Sequence, residues 1–233
     1  YMTPPVVVRG MKIAVFGATG RTGVPLVEQA LERGHDVVAF ARNANDIPAS
    51  LRSHDALVIV EGDAYTGAGV ADAVAGGIDS DEASAVDAVI CVLGQTSSCP
   101  DDLLTEAGRH ILDAMDESDV ERIVTLVGAG IREDGESVSL GGKVMGSLLK
   151  VMAGGVLEDA KAHTEMLRAS NTQWTIVRGP RLTEGEHTGQ FQHGTELQLG
   201  LRDSAARANV AQFILDCIED DLYVEQLPKI TDQ

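Results

Sequence analysis

Lys12-Ile13-Ala14-Val15-Phe16-Gly17-Ala18-Thr19-Gly20-Arg21-Thr22-Gly23 is a short apolar run that ends in a spaced glycine triplet. The run predicts a parallel strand buried on both faces. Beyond it Val24, Val27 and Leu31, with Leu26 and Ala30 beside them, recur at helical spacing, and Gly34 closes the helix. The G-x-x-G-x-x-G pattern therefore falls on a strand-to-helix turn. Such a turn brings backbone close enough for its amide N–H groups to meet a pyrophosphate. Gly17 makes the turn, Gly20 permits the close approach, and Gly23 lets the helix pack on the sheet. The helix dipole and its free N–H groups supply the anion site. A glycine triplet alone is a weak signal. Here a strand precedes it, a helix follows, and a second strand comes at the right distance. The competing reading is a glycine turn that binds nothing.

Working outward, Asp36–Ala41, Leu57–Val60, Ala88–Leu93, Arg122–Val127 and Trp174–Val177 read as further strands. Val70–Val74, Leu103–Met115, Val144–Met152, Leu157–Ala169 and Ala205–Ile218 read as helices, and Leu222–Val224 as a final edge strand. Gly76–Ser84, Ile131–Ser139 and Glu184–Gly194 read as loops. Strands alternating with helices predict an α/β Rossmann-type fold, a doubly wound parallel sheet with its ligand at the strand C-termini. The expected organisation is an N-terminal extension over residues 1–10 and one dinucleotide-binding domain over 11–233. The domain would carry a small C-terminal region on the substrate side.

The end of the second strand selects the dinucleotide. A carboxylate there pairs with the ribose 2′-hydroxyl of NAD(H) and repels a 2′-phosphate. Phe40-Ala41-Arg42-Asn43 has no acid, and Arg42 can fork onto a phosphate. A charge-assisted contact of about 1.5–3 kcal/mol favours NADP(H) over NAD(H) roughly 10- to 150-fold. Arg21 is placed to add to it. The bland alternative for Arg42 is a solvated loop arginine.

The 233 residues include 36 acids against 18 lysines and arginines, for a formal charge of −18. That charge argues against nucleic acid and anionic membrane surfaces as partners, and leaves a small-molecule substrate. Only Lys12, Lys143, Lys150, Lys161 and Lys229 are lysines, and an acidic, lysine-poor surface resembles proteins of salt-loving organisms. Molar salt shortens the Debye length to about 3 Å and screens the self-repulsion. The melting temperature is therefore expected to rise from dilute buffer to molar KCl; a flat or falling value contradicts the halophilic reading. No stretch approaches the roughly 20 apolar residues of a membrane span. Tyr1–Gly10 lacks the apolar segment of about 7–15 residues that a secretory signal needs. Cys91, Cys99 and Cys217 are too few and scattered for a disulfide framework or a metal site, so a reducing cytoplasm is expected. A monomer and a homodimer both remain open.

With Lys12–Phe16 before the glycine loop, Arg42 after the second strand and Gly62-Asp63 after the third, the chain resembles the atypical short-chain dehydrogenase/reductase superfamily. Within it, the resemblance is nearest to the NAD(P)H-binding group that includes NmrA-like proteins and biliverdin reductase B (flavin reductase). It runs from about Met11 to Ile218. It includes Lys161, Glu165-Met166-Leu167-Arg168-Ala169-Ser170 and Trp174-Thr175-Ile176-Val177-Arg178-Gly179-Pro180. The resemblance implies Asp63 and Ala64 near the adenine, and Leu93, Gly94 and Gln95 along the dinucleotide. It implies Val127, Gly128 and Pro180 toward the nicotinamide. The superfamily's familiar proton donor is a tyrosine four residues before a lysine, with a serine nearby. Here Leu157 precedes Lys161 and Gly128 stands at the serine's place, so tyrosine-assisted carbonyl reduction loses its donor. The strand-five Cys and Ser of biliverdin reductase B likewise correspond to Leu126 and Gly128. Lys161 is left either to hold the nicotinamide ribose or to stand as a solvated helix lysine.

His163 could face the cleft as an acid or be a satisfied helix residue. His187 and His193 flank Phe191 in a loop where this fold shapes its substrate pocket. Met145, Leu148, Leu149 and Met152 read as core or lid packing more readily than as a substrate wall or dimer face. The expected function is NADPH-dependent hydride transfer to a flavin, quinone or similar conjugated acceptor, which can draw its proton from solvent. The rival is an NmrA-like redox sensor that binds NADP(H) without turnover. Epimerases and dehydratases are disfavoured, because they too lean on the absent tyrosine.

Overall fold

β1 (Lys12–Phe16) sends Ile13 and Val15 into one apolar layer and Ala14 and Phe16 into the other. That two-sided burial is what an uninterrupted apolar strand requires. The computed structural model describes residues 10–77, 84–95, 99–131, 154–200 and 202–233. After β1 come α1 (Gly23–Glu32), β2 (Asp36–Ala41), a 3-10 turn (Ala44–Asp46), α2 (Ala49–Arg52), β3 (Leu57–Glu61), α3 (Val70–Val74) and β4 (Ala88–Cys91). They are followed by α4 (Leu103–Glu117), β5 (Arg122–Gly128), α5 (Gly154–Ala169), β6 (Gln173–Gly179), β7 (Arg181–Thr183), β8 (Phe191–Gly194), β9 (Ser204–Ala206), α6 (Arg207–Glu219) and β10 (Lys229–Asp232).

The main sheet runs β3-β2-β1-β4-β5-β6-β10-β8, parallel except for β8, which pairs antiparallel with β10. The order reverses between β1 and β4, the topological switch point where this architecture opens a crevice at the strand C-termini. α1 and α6 cover one face, while α3, α4 and α5 cover the other. No helix among the described residues is long and apolar enough to cross a membrane.

The C-terminal edge departs from the expected pattern. Leu222–Val224 is a turn, with Asp221, Tyr223 and Glu225 in left-handed backbone at φ 48°, 55° and 57°. Arg122 and Thr175 hold it. The Thr175 hydroxyl donates to the carbonyls of Leu222 (3.2 Å) and Tyr223 (2.9 Å), and Arg122 Nη2 to those of Cys217 (2.7 Å) and Leu222 (3.2 Å). The last strand is β10, inside the sheet between β6 and β8. Ala205 and Ala206 end β9, so the last helix begins at Arg207. Within the expected loop Glu184–Gly194, Phe191–Gly194 forms β8. Asn209 of α6 ties the rest of that loop down. Its Oδ1 accepts the N–H groups of Thr188 (3.0 Å) and Gly189 (3.1 Å), and its Nδ2 donates to Thr188 Oγ1 (3.0 Å) and Asp232 Oδ1 (2.8 Å). The expected helix Val144–Met152 lies outside the described residues, together with Met145, Leu148, Leu149 and Met152. So do residues 1–9, 78–83 and 132–139.

Candidate functional site

The glycine loop occupies the switch point. Gly17 has φ +93°, and a Cβ on it would stand 2.8 Å from the carbonyl carbon and oxygen of Val92, at the end of β4. A Cβ on Gly23 would lie 1.9 Å from the Gly17 carbonyl oxygen. Gly20 donates its N–H to Gly17 O (2.9 Å) and accepts from Val24 N (2.9 Å), which winds the turn into α1. Gly17 and Gly23 are thus demanded by backbone meeting backbone. Thr22, at the helix N-cap, makes no side-chain cap, and no acid stands in the first turn of α1. Ala18, Thr19, Arg21 and Thr22 donate no backbone N–H bond among the described residues. The positive end of α1 is therefore open to an anion. Beside it, a Cβ on Gly94 or Gly128 would meet nothing within 4 Å among the described residues. The loop and this margin lie together at the switch point, with unbonded amides facing no described side chain.

At the end of β2, Arg42 is exposed and makes no hydrogen bond or ion pair among the described residues. The carboxylate nearest in register is Glu61, opposite Ala41 at the end of β3, and its Oε1 accepts the Ala44 N–H at 2.7 Å. Reading β2 alone missed Glu61; the acid closing β3 was the available signal. Arg21, exposed on the glycine loop, lies 3.4 Å from Glu184 Oε1. Asp63 folds its own loop, its Oδ1 accepting the Tyr65 N–H (2.9 Å) and its backbone pairing with Ala68. Ala64 is buried, and its carbonyl accepts from His110 Nδ1 at 3.1 Å.

Leu93 and Gly94 follow β4 and lead to Gln95, whose Nε2 donates to Asp101 O (3.0 Å) and to the Asp159 carboxylate. Asp159, on α5, is buried and accepts the N–H groups of Leu104 (2.8 Å) and Thr105 (2.9 Å) and the Thr105 hydroxyl. The start of α4 is therefore capped from α5, while Asp102 at its own N-cap makes no side-chain cap bond. Sequence reading missed Asp159, because nothing local points across 55 residues. Val127 is buried near the end of β5, Gly128 is exposed, and Pro180 is half-buried after β6.

Leu157, at the place of the expected tyrosine, packs beside the end of β5, where a Cβ on Gly130 would stand 3.2 Å from its Cδ1. Lys161 is exposed one turn on, with no bond among the described residues. His163 does not face the cleft. It is fully buried against Gly108 and the Thr125 hydroxyl (Nε2 to Oγ1, 3.1 Å), and burial pushes its imidazole down to about 4 against the pull of Asp159. A neutral, sealed imidazole cannot exchange protons with a ligand. His193 is stacked on Phe213 at 4.5 Å and bonded to Tyr223 OH (2.8 Å), and His187 bonds Gln212 (2.6 Å). Both side chains are exposed, and their bonds run to α6 and to the turn that follows it. Burial raises the thiols of Cys91 and Cys217, the latter to about 12, so neither is a nucleophile. Among the described residues no three His, Cys, Asp or Glu side chains are grouped to hold a metal ion.

The family model described as NAD(P)H-binding matches residues 17–221. Over 194 residues the chain is 29% identical to the uncharacterized chloroplastic protein At2g34460 of Arabidopsis thaliana, across 78% of this chain and 63% of that one. It spans less than two thirds of the curated relatives it matches, 48% and 63% of two of them. Among solved structures, a wide-type short-chain dehydrogenase/reductase of Veillonella parvula, in complex with NADP, aligns with a TM-score of 0.75 at 16% identity. That alignment covers 95% of this chain and 94% of that one. ChuY, an anaerobillin reductase of Escherichia coli O157:H7, aligns with a TM-score of 0.73 at 21% identity, over 95% and 97% of the two chains. At such identities the structural likeness shows the fold alone.

Proposed function

The chain belongs to the NAD(P)H-binding family, and on that footing we propose that it is an NADPH-dependent oxidoreductase whose acceptor is a flavin, quinone or similar conjugated molecule. The free amides of Ala18, Thr19, Arg21 and Thr22 would hold the diphosphate on the turn that Gly17, Gly20 and Gly23 shape, with Arg42 on the 2′-phosphate and Asp63 and Ala64 toward the adenine. Leu93, Gly94, Gln95, Val127, Gly128 and Pro180 would line the remainder, and Lys161 would meet the ribose. When bound, the nicotinamide supplies the hydride and the protein supplies its orientation.

The observation that carries the choice of acceptor is that Gly128, near the end of β5, and Leu157, beside Gly130, stand where a serine and a tyrosine would supply the proton. Neither can give a proton, and His163 is sealed away. Among the described residues here, none offers an acid to a carbonyl oxygen. A conjugated acceptor that takes its proton from solvent suits such a site. One structural neighbour is by name a reductase of anaerobillin, which agrees with a reductive role.

The test is a panel. Purified protein with NADPH and FMN, riboflavin or a water-soluble quinone is expected to consume the nucleotide only when acceptor is present. Tight binding of both redox forms, with no oxidation across the panel, would contradict the enzyme and indicate an NmrA-like sensor.

A further inference from the structure

Glu184 follows β7 and stands between two arginines that come from distant parts of the chain. Its Oε1 lies 3.4 Å from Arg21 Nη1 on the glycine loop and 3.2 Å from Arg207 Nε at the start of α6. The two cations differ in setting. Arg21 is exposed, whereas the Arg207 side chain is only 11% exposed. Its Nε and Nη1 are buried and make no hydrogen bond among the described residues. Glu184 is near enough for an ion pair but does not lie along the N–H directions. Buried donors left unmade are costly, and an oxyanion aligned with one of these N–H groups would make a charge-assisted bond that Glu184 does not.

The surroundings favour an anion from outside. No acid stands in the first turn of α6, and Ala206 at its N-cap has no capping side chain. The start of α6 adjoins α1, where Gln29 Nε2 donates to Ala208 O at 2.9 Å. In a chain of net charge −18, two arginines converging on one exposed carboxylate make a local exception. We propose that Glu184 is a built-in placeholder for a phosphate or carboxylate group of a ligand, which displaces it and docks on Arg207 with Arg21 as the second cation. The inference rests on the cleft reading above, because the ligand meant is one that fills that cleft.

Calorimetric binding of FMN, riboflavin and NADPH to the wild type, Glu184→Gln and Arg207→Gln, at one fixed KCl concentration, tests it without turnover. FMN and riboflavin differ by the phosphate. Removing the Glu184 charge is expected to tighten FMN binding by about three- to tenfold and leave riboflavin unchanged. Removing the Arg207 charge is expected to weaken FMN about tenfold, the worth of one charge-assisted contact. If NADPH moves in place of FMN, the docked group belongs to the nucleotide and the site stands. Glu184 is exposed, so its variant can be read even if Arg207→Gln folds poorly. Unchanged affinities for all three molecules in Glu184→Gln overturn the placeholder, while NADPH binding by the wild type leaves the family reading intact. No binding of any of them by any of the proteins removes both.

Discussion

Gly23→Ala is expected to lose nucleotide binding and to melt well below the wild type. The added Cβ would sit 1.9 Å from the Gly17 carbonyl oxygen and 2.8 Å from the Ala18 Cα, so the obstacle is backbone with no rotamer to yield. Overpacking a fitted site commonly costs about 1–3 kcal/mol, and rigid neighbours put this substitution at or beyond the upper end. Against a total stability of about 5–15 kcal/mol that is a large fraction. The only relief is to push α1 away from β1, which moves the amides that would meet the diphosphate. Gly94→Ala is the control for the melt alone, because its Cβ meets nothing within 4 Å among the described residues and its melting temperature should be unchanged. Thermal melts of the two variants and an NADPH titration of Gly23→Ala check this; wild-type behaviour of Gly23→Ala would refute the packing argument.

Arg42→Glu is expected to reverse the choice of nucleotide. Arg42 has no partner among the described residues, so its charge is available to a 2′-phosphate. If it contributes about 1.5–3 kcal/mol, the wild type should prefer NADPH over NADH by roughly 10- to 150-fold. A glutamate there would stand beside Glu61, adding repulsion to the loss, and could accept from the 2′-hydroxyl of NADH instead. The ratio of the two dissociation constants is the measurement. An unchanged ratio would show that Arg42 is only a solvated loop arginine.

The fold was legible where burial writes itself into consecutive residues. β1, β2 and β5 carry apolar side chains on both faces, and α1 shows its stripe against the α6 side of the core. β10 was not legible, because Lys229-Ile230-Thr231-Asp232 has one aliphatic residue and gains its burial from β6 and β8. Leu222–Val224 misled in the opposite direction. Its apolar composition suits a strand, but carbonyl bonds from Arg122 and Thr175 hold it in a left-handed turn.

The glycine cradle was readable for a local reason, since the turn, the bare amides and the helix start all lie within Gly17–Gly23. Contacts that converge from afar were not. Gln95 meets Asp159 across 64 residues, and Arg21 meets Glu184 across 163. His163 shows the limit of spacing alone. Its helical position allowed the cleft or the core, and only Gly108, which leaves room for the ring on α4, decides for the core.

The central claim is that an open strand-to-helix turn at the β1–β4 reversal receives the diphosphate of a pyridine nucleotide. Isothermal titration of the intact chain with NADPH and NADH, in dilute buffer and again in molar KCl, addresses it directly. Saturable heat is expected with NADPH, at an affinity above that for NADH. No heat with either nucleotide under either condition would contradict it.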